Sequence, residues 1–226
     1  VLKEIISLIY PHVCLSCAEP LRKYDQNICL KCKSHLPKTK FSQRIENPVV
    51  KLLWGKAHIE HASSAFYFKK GNRIQKLMHQ LKYKGKKELG EELGALMARE
   101  LKCSTIYNKI DAIIPLPLHK SKLRLRGYNQ CDPIAKGLSE QLRVDVLNHS
   151  VKRKHANTSQ TNKGHYERHK NVENIFEVCN PKELNGRNIL LIDDVITTGS
   201  TIAACARAIN KISSAKVYVS TLAAVI

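Results

Sequence analysis

Apolar positions along this chain switch between helical and strand periods, and the switches lay out an alternating series of elements. Leu2, Ile5, Ile6 and Ile9 recur at helical spacing until Pro11. Ile59 to Phe68 has a strand pattern, turned by Lys70-Gly71-Asn72. Arg73 to Leu81 predicts an amphipathic helix with Ile74, Leu77, Met78 and Leu81 inward, and Glu88 to Leu101 a second with Leu89, Leu93, Leu96, Met97 and Leu101 inward. Asp111 to Leu118 is a buried strand ended by two prolines; Asp132 to Leu142 predicts a helix and Val144 to Leu147 a short strand. Ile175 to Val178 is another strand, and Asn185-Gly186 a hairpin-type turn. Ile189 to Ile192 is apolar on both faces, as in a buried parallel strand; an Ala-rich helix follows Ser200, and Ala215 to Ile226 is a last strand. Strands alternating with helices predict an α/β fold with a parallel sheet and flanking helices.

Polar stretches interrupt this series. Residues 38 to 48 read as a linker, and Pro48 to Gly55 as a short helix whose Trp54 is expected to pack between two domains, base stacking being the alternative. Lys152 to Lys170 carries no apolar side chain except Ala156 and Tyr166, so it is read as a lid or as a nucleic-acid contact that orders on binding. The division that follows is 1–37, 38–58 and 59–226.

A formal net charge of +19 over 226 residues changes the picture, because it implies a strongly anionic partner, nucleic acid first. Two cationic stretches stand out. Lys69 to Lys87 holds eight Lys or Arg and no acid, and Tyr83 between Lys82 and Lys84 favours an anion-binding edge over a merely solvated face. In His119 to Gln130, an extended backbone would throw Lys120, Lys122, Arg124 and Arg126 onto one side as a comb of cations. No apolar run approaches a membrane span, and no cleavage-like site follows Val1 to Tyr10, so a cytoplasmic location is expected. The start at Val1 without Met is read as the loss of a residue or two.

Four of the eight cysteines form two Cys-x2-Cys pairs, Cys14/Cys17 and Cys29/Cys32, separated by eleven residues. The spacing suits four thiolates on one structural Zn²⁺ in a zinc ribbon, with His35 a bystander; two reducible disulfides or a redox pair is the alternative. A segment this small has too little core to fold alone, so the metal would supply its folding energy. Cys103, Cys131, Cys179 and Cys205 are read as small buried hydrophobes.

The densest chemistry lies at residues 189 to 201. Asp193 and Asp194 follow the buried strand, and Thr197, Thr198, Gly199, Ser200 and Thr201 open the helix. Gly199 lets a ligand approach the backbone, the hydroxyls donate to phosphate oxygens, and N–H groups at the helix start face an anion. The spacing matches neither a P-loop nor a dinucleotide fingerprint. Two acids before a phosphate cup point to a ligand with a phosphate and vicinal hydroxyls, such as a ribose 5-phosphate.

That stretch resembles the phosphoribosyl pyrophosphate (PRPP) motif of type I phosphoribosyltransferases. The likeness widens along the chain: the four-cysteine ribbon, Tyr83-Lys84-Gly85, Ile114 to Leu118, Arg126-Gly127-Tyr128-Asn129-Gln130, Thr158-Ser159-Gln160, Arg168 to Val172 and Asp193 to Thr201 stand in the order seen in the ComF family. The resemblance implies a phosphoribosyltransferase-like parallel sheet with flanking helices behind a zinc ribbon. It implies that Asp193 and Asp194 bind ribose hydroxyls, that Thr197 to Thr201 hold the 5-phosphate, and that Leu116, Pro117 and Arg126 lie by the pyrophosphate, PRPP arriving with Mg²⁺. It also implies a role in natural competence, with single-stranded DNA and DNA-uptake helicase or translocation machinery as partners. Candidate nucleic-acid contacts are Lys82, Tyr83, Lys84, Lys120, Lys122, Arg124, Arg126 and Arg168. A catalytic phosphoribosyltransferase acting on a nucleobase or other small acceptor is the alternative, with no acceptor pocket evident in the sequence.

Overall fold

The computed structural model describes residues 12–154 and 175–226. The helix expected over Val1 to Ile9, most of the polar segment after Lys154, and Arg168 lie outside the described residues.

Among the described residues, the amino-terminal part carries one short helix, α1 (Leu30–Ser34), capped by the Cys29 side chain. Residues 38 to 48, read as a linker, are instead packed: Thr39, Phe41, Ser42 and Asn47 are buried. Their polar groups have partners that the sequence does not announce. Asn47 Nδ2 donates to Ala62 O at 2.9 Å while its Oδ1 caps α2 (Pro48–Leu53), and Ser42 Oγ donates to Glu100 O at 2.8 Å. Trp54 is not at a domain contact; it is 82% exposed.

Strand β1 (His61–Tyr67) leads into α3 (Arg73–Tyr83) and α4 (Lys87–Lys102), which bury the apolar residues the periodicity predicts, except that Leu96 is only partly buried and Ala98 is buried as well. Then come β2 (Ala112–Pro115), α5 (Lys120–Arg126), α6 (Cys131–Leu142) and β3 (Asp145–Val146). A small antiparallel pair, β4 (Val151–Arg153) and β5 (Phe176–Val178), precedes α7 (Pro181–Leu184), β6 (Asn188–Ile196), α8 (Ser200–Ile212) and β7 (Lys216–Ala224).

The main sheet has the order β1-β7-β6-β2-β3 and every pairing in it is parallel. Two apolar layers cover it, as an all-parallel sheet requires. On one face lie α3, α4 and α6 together with the cysteine-bearing segment; on the other lie α2, β4, β5 and α8. Helices α4 and α6 meet at backbone contact, since a Cβ on Gly94 would strike Ile134 O and one on Gly137 would strike Glu91 O.

Three local expectations are corrected. Asn185-Gly186 joins α7 to β6, not two strands of a hairpin, because β5 pairs with β4. Lys152 and Arg153, read as part of a coreless segment, belong to β4 and pair with Glu177 and Phe176. The four scattered cysteines divide, with Cys131 and Cys205 buried but Cys103 and Cys179 exposed.

Candidate functional site

The site forms where neighbouring strands end at different heights. β2 pairs with β6 as far as Pro115 opposite Ile192, and Leu116 N–H gives a last bond to Ile192 O at 2.9 Å. On its other side β6 stays paired with β7 up to Ile196 opposite Ala224. Asp193 and Asp194 therefore sit within the strand and not in the turn the sequence suggests, with the β2 side open beyond Ile192. This is the carboxyl edge at which parallel α/β sheets receive ligands.

The two carboxylates have different partners. Asp193 Oδ1 accepts the Asp194 N–H at 2.7 Å and the Cys131 S–H at 3.5 Å. Burial, then the neighbouring Asp194 charge, pushes the Asp193 carboxyl up to about 7, against those hydrogen bonds and the more distant Lys82 charge. Asp194 is buried, and its Oδ2 lies 2.7 Å from Lys82 Nζ at the end of α3. Burial, then the Asp193 and Asp194 charges, drives the Cys131 thiol upward, so it is a proton donor here and not a thiolate.

Beyond Ile196 the chain passes Thr197 and Thr198, both exposed, and turns into α8 at Gly199, whose φ of +72° is left-handed. Thr198 and Ser200 hydroxyls lie 3.1 Å apart on the rim, and Thr201 is half-buried in the first turn. The loop is held from outside by residues the sequence did not single out. Lys56 Nζ donates to Thr198 O at 2.8 Å, and Arg207 of α8 donates to Lys56 O at 2.6 Å. A cleft of about 940 Å³ beside it is lined in part by Lys56, Lys154, Arg207 and Lys211, with Glu177 among them. No local pattern marks Lys56, Arg207 or Lys211, because their grouping is created by the fold.

The expected anion loop is partly assembled. Leu116 is buried and its carbonyl accepts from Asn129 Nδ2 at 3.1 Å, which ties the loop to the start of α6. Arg126 donates to Gln130 Oε1 at 2.6 Å and stacks over the Tyr83 ring, 5.6 Å from its centroid. The comb of cations is not formed. His119 Nδ1 caps the Ser121 N–H and Gly127 closes α5 at φ +75°, so Lys120 to Arg126 is a helix and its cations spread around the axis. Lys120, Lys122 and Arg124 are exposed, as are Tyr83 and Lys84, whereas Lys82 is committed to Asp194.

The Sγ atoms of Cys14, Cys17, Cys29 and Cys32 all lie within 4.8 Å of one another, a set able to hold one metal ion. Burial opposes ionisation of Cys14, but backbone N–H groups of Cys29, Cys17 and Ser16 outweigh it and lower its thiol to about 7, whereas the neighbouring Cys17 and Cys29 thiols are raised. Cys29 N–H points at Cys14 Sγ (3.3 Å) and Cys32 N–H at Cys29 Sγ (3.4 Å). His35 is engaged elsewhere, its Nδ1 2.7 Å from Lys31 O. The cluster is fastened to α4 by Glu92, which takes the Asn27 N–H at 2.9 Å and the Lys33 ammonium at 2.7 Å.

Comparison with known proteins follows the same division. A family profile described as "Phosphoribosyl transferase domain" matches residues 128–225, from Tyr128 to just past the end of β7. Competence protein F of Haemophilus influenzae is 35% identical over 129 residues, 57% of this chain and 56% of that protein. Together with the parallel sheet, its acid pair and the cysteine cluster, this makes the chain similar to ComF-type competence proteins. The DNA utilization protein YhgH of Escherichia coli (strain K12) is 31% identical over 149 residues, 65% of each chain, and the competence protein ComFC of Bacillus subtilis (strain 168) is 35% identical over 105 residues, 46% of this chain and 40% of that one. The ComF-like chain thus spans between two fifths and about two thirds of these relatives. Among its described residues no helix is long and apolar enough to cross a membrane.

Proposed function

We propose that this ComF-like chain is a DNA-uptake factor of natural transformation that binds PRPP with Mg²⁺ at the β6 edge and single-stranded DNA on its basic surface. The observation that carries the reading is the position of Asp193 and Asp194, beyond the last β2 bond and one turn before the left-handed Gly199. A ribose diol can accept and donate there while a 5-phosphate faces the Thr198 to Thr201 turn, whose hydroxyls and N–H groups suit an anion. Arg126, held by Tyr83 and Gln130, would take the pyrophosphate on this reading. Mg²⁺ would neutralise pyrophosphate charge through the ligand's own oxygens. The carboxylates supply hard oxygen nearby.

Four cysteine thiolates hold a structural Zn²⁺ on this reading. Residues 1–37 are then the metal-held unit, 38–58 the join, and 59–226 the ligand-binding domain. The net charge of +19 and the names of the relatives support a nucleic-acid partner in the cytoplasm, with uptake helicase or translocation machinery nearby. Fluorescence anisotropy with a labelled single strand tests the second half: binding that weakens steeply with salt is expected, and salt-independent or absent binding rejects it.

A further inference from the structure

The acid that should receive a ribose hydroxyl is already occupied from within the chain. Lys82 Nζ is 2.7 Å from Asp194 Oδ2, and the two side chains are 21% and 8% exposed. The Asp194 oxygen that meets the ammonium, Oδ2, is itself buried, while the lysine side chain keeps partial exposure. The ion pair makes sense of a packing problem, because adjacent buried acids without a cation would repel each other and lose hydration. It also sets a condition on ligand entry, since a diol that takes Asp194 Oδ2 must replace that ammonium.

Lys82 is not an isolated side chain. It occupies the last turn of α3 and is followed by exposed Tyr83 and Lys84, and the Tyr83 ring stacks beneath Arg126. The Tyr128 hydroxyl bonds to Leu81 O, fastening the same helix end to the segment that carries Arg126. One cation is thus withheld from a rim that already holds Lys84, Arg126 and a stacking ring, the combination that binds single strands.

Building on the sugar-phosphate reading above, we propose that Lys82 is an exchangeable counter-ion linking the two sites. A ribose 5-phosphate group displaces its ammonium from Asp194, and the freed cation joins the Tyr83–Lys84–Arg126 rim and strengthens its hold on a polyanionic single strand. By linkage, the strand strengthens sugar-phosphate binding by the same factor.

The test uses the full chain, ribose 5-phosphate and a fluorescent single-stranded oligonucleotide. In the unsubstituted protein, saturating ribose 5-phosphate should tighten oligonucleotide binding about threefold and steepen the log–log salt dependence by about 0.7, the single-strand increment for one phosphate contact. In Lys82→Met the sugar phosphate should leave both quantities unchanged. Because that variant strands a buried carboxylate, a second measurement is made on the unsubstituted chain: acetylation of Lys82 by acetic anhydride, followed by mass spectrometry, should rise several-fold on adding ribose 5-phosphate. Tightening that persists in Lys82→Met, or Lys82 reactivity that stays level or falls, overturns the proposal. Calorimetric binding of ribose 5-phosphate without any effect on the oligonucleotide sinks the linkage alone, whereas no binding at all sinks the sugar-phosphate reading and the linkage with it.

Discussion

Leu53 and Gly199, distant in sequence, fit against each other so closely that a Cβ on Gly199 would lie 2.6 Å from Leu53 Cδ2. Helix α2 thus backs the turn that opens α8, while Lys56 and Arg207 fasten the same region from the side. The turn has a fixed shape before any ligand arrives.

Gly199→Ala tests that fit. A left-handed φ of +72° costs an alanine about 1–2 kcal/mol, and the clash with Leu53 adds to it. A melt lowered by several degrees and at least tenfold weaker PRPP binding are expected. Unchanged values for both would show the turn to be neither strained nor used.

Asp193 gives stability a pH signature. Its folded carboxyl titrates near 7 because burial, then Asp194, disfavours the charge, while an unfolded Asp titrates at about 4. Between those values the folded chain keeps a proton that the unfolded chain has released, so stability falls as pH rises through the window and levels off above about 7. Asp193→Asn removes this slope and should be more stable than the parent at pH 8 by up to about 4 kcal/mol. Denaturant melts at pH 5 and pH 8 check it, and a variant less stable than its parent at pH 8 would contradict the account.

The cysteine cluster should carry one Zn²⁺ per chain, measured by metal analysis, and a strong chelator should release it with loss of structure in the amino-terminal part. Glu92→Ala leaves the Asn27 N–H and the Lys33 ammonium without their carboxylate and should lower stability by about 2 kcal/mol and speed metal release. Metal-free protein with an unchanged melt would remove zinc from the fold's energetics.

The exposed cations of α5 face solvent without sharing one side. Replacing Lys120, Lys122 and Arg124 together by Ala should lessen the log–log salt slope of oligonucleotide binding by at most about 2, the limit if all three reach phosphates. No change in slope would take α5 out of the interface.

The long elements were legible because each buries a stripe or a face: Ile74, Leu77, Met78 and Leu81 could only be the inner side of a helix, and Ile189 to Ile192 only a covered strand. The cysteine cluster was legible from spacing, which the fold turns into four sulfurs within 4.8 Å. The helix at Lys120 was not, because its Lys, Leu and Arg alternation imitates a strand while the cap at His119 and the stop at Gly127 act only once the backbone has turned. Residues 38 to 48 look like a linker because three of their four buried residues, Thr39, Ser42 and Asn47, are polar, each donating to a distant carbonyl. Lys82 on Asp194 and Lys56 on Thr198 are pairings across the fold, and nothing near either residue in sequence announces them.

The central claim is that the β6 edge is a PRPP site. Isothermal titration of the full chain with PRPP and Mg²⁺, beside the Asp193→Asn/Asp194→Asn double variant, tests it most directly. The account predicts saturable binding with a stoichiometry of about one per chain in the parent and none in a double variant that still melts cooperatively. Equal binding by both proteins would contradict it.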